Sequence, residues 1–296
     1  MPLIRFHENR GVNIELKCDN QVARRSASFA NAITFSDRPL RPGELFLVEV
    51  EEQEPGWSGH LRCGLTQHHP SNLKASRQDN PPSRTRLFDF QPANSPTARA
   101  NSAPPMLTIP QYSMPDLTNM GKSWIFAITK YHNKVPEDRM SPADVEVLAK
   151  SEFVKDGANV LKIGCLEIPR HFLVNDFVAL DQETNWLSGQ PQYFATSVGS
   201  RIAVTYNVIG DKVYMHFIIN GEDQGASLME DARLDTPFFG IVDVYGTTKQ
   251  VRIVQLIYVP SLQECCRHSI RNETSEAHLQ ELPLPNKLKK YLRYEL

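Results

Sequence analysis

No run of about 18 apolar residues occurs in this 296-residue chain, so no membrane-spanning helix is expected. The first residues lack the apolar stretch of a secretory signal, and a cytoplasmic protein without a membrane partner is expected. Neither charge sign dominates. The formal net charge of −2 leaves no basic stripe for nucleic acid. Cysteine is scarce: Cys18, Cys63, Cys165, Cys265 and Cys266 form no C-x-x-C pair. A cysteine-based zinc site and a built-in RING are thereby excluded. An odd number of irregularly spaced thiols fits a reducing compartment better than a disulfide framework.

Catalytic signatures are missing too. No G-x-S-x-G elbow, Walker loop or H-E-x-x-H pair is present. His7, His60, His68, His69, His132, His171 and His216 are scattered, with no spacing that gathers metal ligands. Asp243 falls on an expected strand, and spacing puts no base beside it. No catalytic residue, metal or cofactor is assigned, and the chain is expected not to be an enzyme.

What the chain has in plenty is strand signal. Residues 13–16 alternate, and Phe29, Ile33 and Phe35 keep nearly a two-residue beat. The turn Arg41-Pro42-Gly43 precedes a strand over 44–50, Pro55-Gly56 ends it, and residues 60–65 start the next. Residues 71–110 carry seven prolines and few apolar groups, too few to offset the entropy of ordering. A disordered insertion between two strands of one domain is expected there, with the apolar patch Leu87-Phe88-Asp89-Phe90 inside it. Strands are expected at 124–129 and 160–168, the latter ended by Pro169. Between them, Ser141 as N-cap and Pro142 at the first helical position predict a helix to about Glu152. Residues 201–208 and 212–220, joined at Gly210-Asp211, predict a hairpin. Val213, Met215, Phe217 and Ile219 share one face of it, and Tyr214, His216 and Ile218 the other. Asn220-Gly221 is a turn dipeptide. Residues 238–245 and 249–258, around Gly246-Thr247-Thr248, predict a second hairpin. Short strands with turn punctuation and little helical periodicity mean a sandwich or barrel.

At Pro260 the pattern turns helical. Ser261-Leu262-Gln263-Glu264 is a capping box, in which each end residue's side chain accepts from the other's amide. Leu262, Cys266 and Ile270 follow at four-residue steps on one face. A helix of about ten residues does not stand alone in water, so this stripe must be covered. Each aliphatic side chain buried there contributes roughly 1.5–3 kcal/mol. The alternating prolines of Leu282-Pro283-Leu284-Pro285 force an extended segment. A helix can resume at Asn286, with Leu288, Tyr291 and Leu292 on one face.

These residues carry a resemblance. Ser261, Leu262, Cys266 and Ile270 resemble an elongin BC box, and Leu282 to Leu292 resemble a cullin-5 box. In tandem they resemble a SOCS box over 260–296, with the BC box at 261–270 and the cullin box at 282–292. Upstream, Phe6-His7, Gly11-x-Asn13-Ile14, Ala23-x-Arg25, Ser28-Phe29, Phe35-Ser36-x-Arg38-Pro39-Leu40, Phe46-x-Val48-Glu49 and the run from Trp57 to Thr66 resemble a neuralized homology repeat. Trp124, Asn220-Gly221-x-x-x-Gly225 and Val242 to Tyr245 extend the match, which spans 3–258. The resemblance implies a mainly β, SPRY-like antiparallel sandwich followed by a small helical SOCS box.

It also implies a role: the non-catalytic substrate-recognition subunit of an elongin BC–cullin-5–RING E3 ubiquitin ligase. Leu262, Cys266 and Ile270 would face elongin C, which comes with elongin B. Leu282, Pro283, Leu284, Pro285, Leu288, Tyr291 and Leu292 would face cullin-5 with its RING protein. A protein substrate would bind loops that follow strands, at Glu51, Glu54, Gln67 and His68. Trp57 and Trp124 fit a core better than a contact. Arg38 and Arg62 would anchor an acidic ligand or close surface ion pairs. The competing possibility is a stand-alone protein- or glycan-binding sandwich whose helical tail completes its own core.

Overall fold

The computed structural model describes residues 3–56, 59–75, 107–131, 133–136, 140–157, 160–164, 166–174, 194–256, 266, 267, 270, 274 and 276–292. The first strands are β1 (Ile14–Lys17), β2 (Val22–Arg25), β3 (Ile33–Phe35), β4 (Phe46–Gln53) and β5 (Arg62–Thr66). Two short strands follow, β6 (Leu73–Lys74) and β7 (Leu107–Thr108), then β8 (Ser123–Ala127). Helix α1 (Pro142–Ser151) leads into β9 (Val154–Asp156), β10 (Val160–Ile163) and β11 (Leu166–Pro169). The β region closes with β12 (Arg201–Ile209), β13 (Lys212–Ile219), β14 (Glu222–Leu228), β15 (Phe239–Asp243) and β16 (Thr248–Ile253). Helices α2 (Glu276–Glu281) and α3 (Asn286–Leu292) lie near the C-terminus.

Two antiparallel sheets make the sandwich. Seven strands run in the order β1-β2-β16-β4-β12-β13-β14, and four in the order β3-β15-β5-β8. One core joins them: Phe46, Val48 and Val50 of β4 with Val204 and Phe217 meet Cys63, Leu65 and Val242 of the smaller sheet. The opposite faces are covered as well. Leu47, Ala203 and Ile218 pack against Leu161, Ile163 and Ile168 of the three-stranded sheet β11-β10-β9. Ile33, Phe35 and Ile241 pack against Leu73, Ile109 and Leu117. Coverage on both faces is why β4 opens on the unbroken apolar run Phe46-Leu47-Val48, whereas Glu49 and Glu51 flank Val50 where the strand leaves that cover.

Local signals hold where contacts are local. Ser141 caps α1, its hydroxyl accepting from the Asp144 amide at 3.2 Å. The Asp144 carboxylate also accepts from Lys212 at 2.8 Å, from the Ser141 hydroxyl at 2.6 Å and from Tyr214 at 2.7 Å, and these bonds hold its pKa well below the ordinary range. β12 and β13 form the expected hairpin. Asn220 (φ 48°) and Gly221 (φ 75°) turn the chain into β14 with both residues in the left-handed region.

Two expectations need correcting. Residues 238–258 are no hairpin: β15 pairs with β3 and β5 in the small sheet, while β16 pairs with β2 and β4 in the large one. The turn carries the chain across the sandwich, and inner-face alternation looks the same in either arrangement. The expected insertion is also too wide. Its ends at Leu73 and Ile109 are buried in the outer cluster, and β6 pairs with β7. Its middle, with Leu87 to Phe90, lies outside the described residues. Among the described residues, no helix is long and apolar enough to cross a membrane.

Candidate functional site

The C-terminal segment builds an apolar pocket from two stretches of chain. α2 stops ahead of Pro283 and Pro285, each of which lacks the amide hydrogen a helix needs. The Leu284 amide donates to the Leu282 carbonyl at 2.7 Å. The Pro285 carbonyl then accepts from the Leu288 amide at 2.9 Å and the Lys289 amide at 3.1 Å, closing the first turn of α3. Upstream, Cys266, Arg267 and Ile270 are helical. They face Leu284, Leu288, Tyr291 and Leu292 across a pocket of about 160 Å³. Cys266 is exposed and Ile270 half-buried, so this stripe is partly open. Arg267 is buried with its guanidinium 4.4 Å from the Tyr291 ring centre, a cation–π contact that closes one side.

Two of the three residues expected to face elongin therefore meet four of the seven expected to face a cullin. At seven residues α3 is too short to stand alone, and the contact covers part of its apolar stripe. Leu292 is buried, Leu282 is half-buried, and Pro283 and Pro285 are exposed. Leu262 and the capping box lie outside the described residues, as do Cys165, Cys265 and the expected domain boundary near Val259.

The four residues expected to hold a target have partners inside the β domain. Glu51 lies within β4, where its carboxylate accepts from Gln250 at 2.8 Å and from Arg252. Glu54 pairs with Arg25 at 3.2 Å and Lys249 at 3.0 Å. Gln67 is buried, its side chain donating to the Thr236 carbonyl at 2.9 Å and accepting from the Arg233 amide at 3.1 Å. His68 contacts the Gly121 carbonyl at 2.9 Å. Arg38 is engaged with Glu44. Trp124 is half-buried against the core, and its indole donates to the Glu230 carbonyl at 3.2 Å. Trp57 lies outside the described residues.

Spacing left Asp243 without a partner; the fold supplies several. Its Oδ2 accepts from the Ser113 hydroxyl at 2.7 Å and the Ser113 amide at 3.1 Å, and lies 3.6 Å from the Arg62 guanidinium. Burial pushes its carboxyl up, against the pull of Ser113, Arg62 and Arg25. Ser113 carried no sequence signal because its role needs a partner 130 positions away.

A family model described as Neuralized matches residues 6–255, and one described as SOCS box matches residues 258–293. Neuralized-like protein 2 of Mus musculus is 36% identical over 99% of this chain and 93% of that protein. The Homo sapiens protein of the same name is 35% identical over the same shares. The Mus musculus E3 ubiquitin-protein ligase NEURL1B is 42% identical over 26% of this chain and 14% of its own length. The crystal structure of the Drosophila melanogaster neuralized NHR1 domain superposes with a TM-score of 0.47 at 21% identity, covering 86% of this chain and 99% of that one. Relatives called E3 ubiquitin-protein ligases overturn the expectation that the chain stands outside the enzymes. A search for nucleophiles and bases misses such chemistry, because holding two reactants together can itself accelerate transfer.

Proposed function

Because the chain belongs to the neuralized family and carries a SOCS box, we propose that it is the target-recognising component of an E3 ubiquitin ligase. Residues 3–258 hold the protein target, and residues 260–296 hold the ligase machinery. Leu262, Cys266 and Ile270 dock on elongin C with its partner elongin B. The segment from Leu282 to Leu292 recruits cullin-5 with its RING protein. Tethering target and ubiquitin donor in one assembly raises their effective concentration, which is how such a chain accelerates transfer.

The partly open pocket between Cys266, Ile270 and α3 is the observation that supports this most. An apolar stripe on so short a helix needs a cover. The test is co-purification of the full chain with elongins B and C. Leu262→Pro and Cys266→Phe are expected to abolish it. Changes at Leu282 to Pro285 are expected to spare elongin capture and weaken cullin-5 recruitment. If the first two variants hold the elongins as well as the parent does, the docking assignment is wrong.

A further inference from the structure

One end of the sandwich gathers three aromatic rings, one of them stacked on a cation, in a place that the C-terminal module does not use. Phe29, Tyr112 and Tyr245 come from three separate segments. Their ring centres lie 4.8 Å apart for Phe29 and Tyr245, 6.2 Å for Phe29 and Tyr112, and 6.3 Å for Tyr112 and Tyr245. The Arg62 guanidinium sits 3.6 Å from the Tyr245 ring centre. All four residues are half-buried. Gly59, at φ +83°, lets the backbone approach closely: a Cβ there would lie 2.7 Å from the Tyr245 ring.

Arg62 is fixed from behind. Its Nη1 donates to the Met114 carbonyl at 2.9 Å and lies 3.6 Å from buried Asp243. Among the described residues, Arg62 hydrogen-bonds through Nη1 alone, which leaves the donors on Nε and Nη2 for a ligand. Nearby, buried Arg25 donates to the carbonyls of Ala27, Gly246 and Thr248, and shares Glu54 with Lys249. Arg25, Arg62 and Lys249 are balanced by Asp243, Glu54 and Asp116, whose carboxylate accepts from the Tyr112 amide at 3.2 Å, so the attraction for an anion comes from the open edge of Arg62 itself. A guanidinium stacked on a ring and anchored by one nitrogen is preorganised to take a carboxylate on its remaining edge. Rings beside it supply rigid apolar contact area.

Building on the target-recognition role above, we propose that this end of the sandwich binds an acidic peptide segment of the target. An Asp or Glu carboxylate sits on the free edge of Arg62, and a neighbouring apolar side chain lies against Phe29, Tyr112 and Tyr245. Of the positions expected from the sequence, only Glu54 borders this site, through its pairs with Arg25 and Lys249, and Glu51, Gln67 and His68 have other partners within the domain.

The test pans a displayed library of random short peptides on the full chain. Enriched peptides are expected to share an acidic residue next to an apolar one, and to bind more weakly as salt is raised. Arg62→Lys keeps a charge facing Asp243 but loses the planar fork, and Phe29→Ala leaves the ion network intact. Each is expected to weaken binding about tenfold or more, while the β domain still unfolds in one cooperative transition above the assay temperature. No enrichment, a consensus without an acid, or equal binding by both variants overturns the assignment. Elongin capture by the same chains is measured in parallel. If capture persists while the peptide result fails, only the acidic-peptide assignment falls. If capture fails while acidic peptides bind, the ligase role falls and the peptide site stands.

Discussion

Leu288 and Leu292 stand one turn apart on α3, and periodicity treats them alike. The structure separates them: Leu292 is 3% exposed and Leu288 is 43% exposed. Leu292→Ala removes buried methyl groups and leaves a hole beside Cys266 and Ile270, at a cost of about 2–5 kcal/mol. Leu288→Ala trims a side chain already partly in water and costs less than about 1 kcal/mol. Whole domains are stable by only about 5–15 kcal/mol, so the first change removes a large share of what holds two short helices together. Leu292→Ala is therefore expected to weaken capture of elongins B and C together with cullin-5. Leu288→Ala is expected to keep elongin capture and weaken cullin-5 alone. The assay titrates the full chain on immobilised elongin BC, adds cullin-5 second, and follows hydrogen exchange across residues 276–292. Elongin affinity for Leu292→Ala within about twofold of the parent, or loss of elongin binding by Leu288→Ala, refutes the division of α3 into packing and contact residues.

Three further outcomes rest on the β domain. Ser113→Ala removes the 2.7 Å hydroxyl bond to buried Asp243. A bond to a charged group is worth about 1.5–3 kcal/mol, so calorimetry should show a melting temperature lower by roughly 3–12 °C, and no shift would refute the bond's importance. Burial pushes the His216 imidazole down to about 3. Its unfolded value is about 6.5, so the unfolded chain binds the extra proton between these values. Stability should rise with pH through that window, by at most about 1.4 kcal/mol per unit, and stay level above it. Urea midpoints of parent and His216→Gln across the window check this; identical slopes would assign the pH dependence elsewhere. Gly240→Ala would place a Cβ 2.5 Å from the ring of Phe46, which is buried and cannot swing away. A loss of about 1–3 kcal/mol is expected in urea unfolding, and an unchanged midpoint would show that the sheets can separate slightly there.

Signals that act over a few residues were legible. The Ser141 cap, the Asn220-Gly221 turn and the two faces of β13 all appear where the chain alone places them. Long-range choices were not. Inner and outer residues alternate along β15 and β16 whether the two strands pair or part, so a hairpin and a crossing between sheets look identical. Leu73 and Ile109 sit at the ends of a proline-rich stretch, and only the outer face of the small sheet makes them core. Glu51 and Gln67 looked like loop residues open to a ligand until strand pairing and the Arg233 loop engaged them.

The chain by itself determined the β architecture, the helical tail and the two motifs that identify the tail. These depend on periodicity, capping and proline chemistry, all expressed within one or two turns of backbone. Tertiary structure alone decided which strands became neighbours, which face of α3 was buried, and that Arg62, Ser113, Asp243 and Tyr245 would meet at one end. Contacts between distant residues depend on how whole sheets stack, and no local pattern records that.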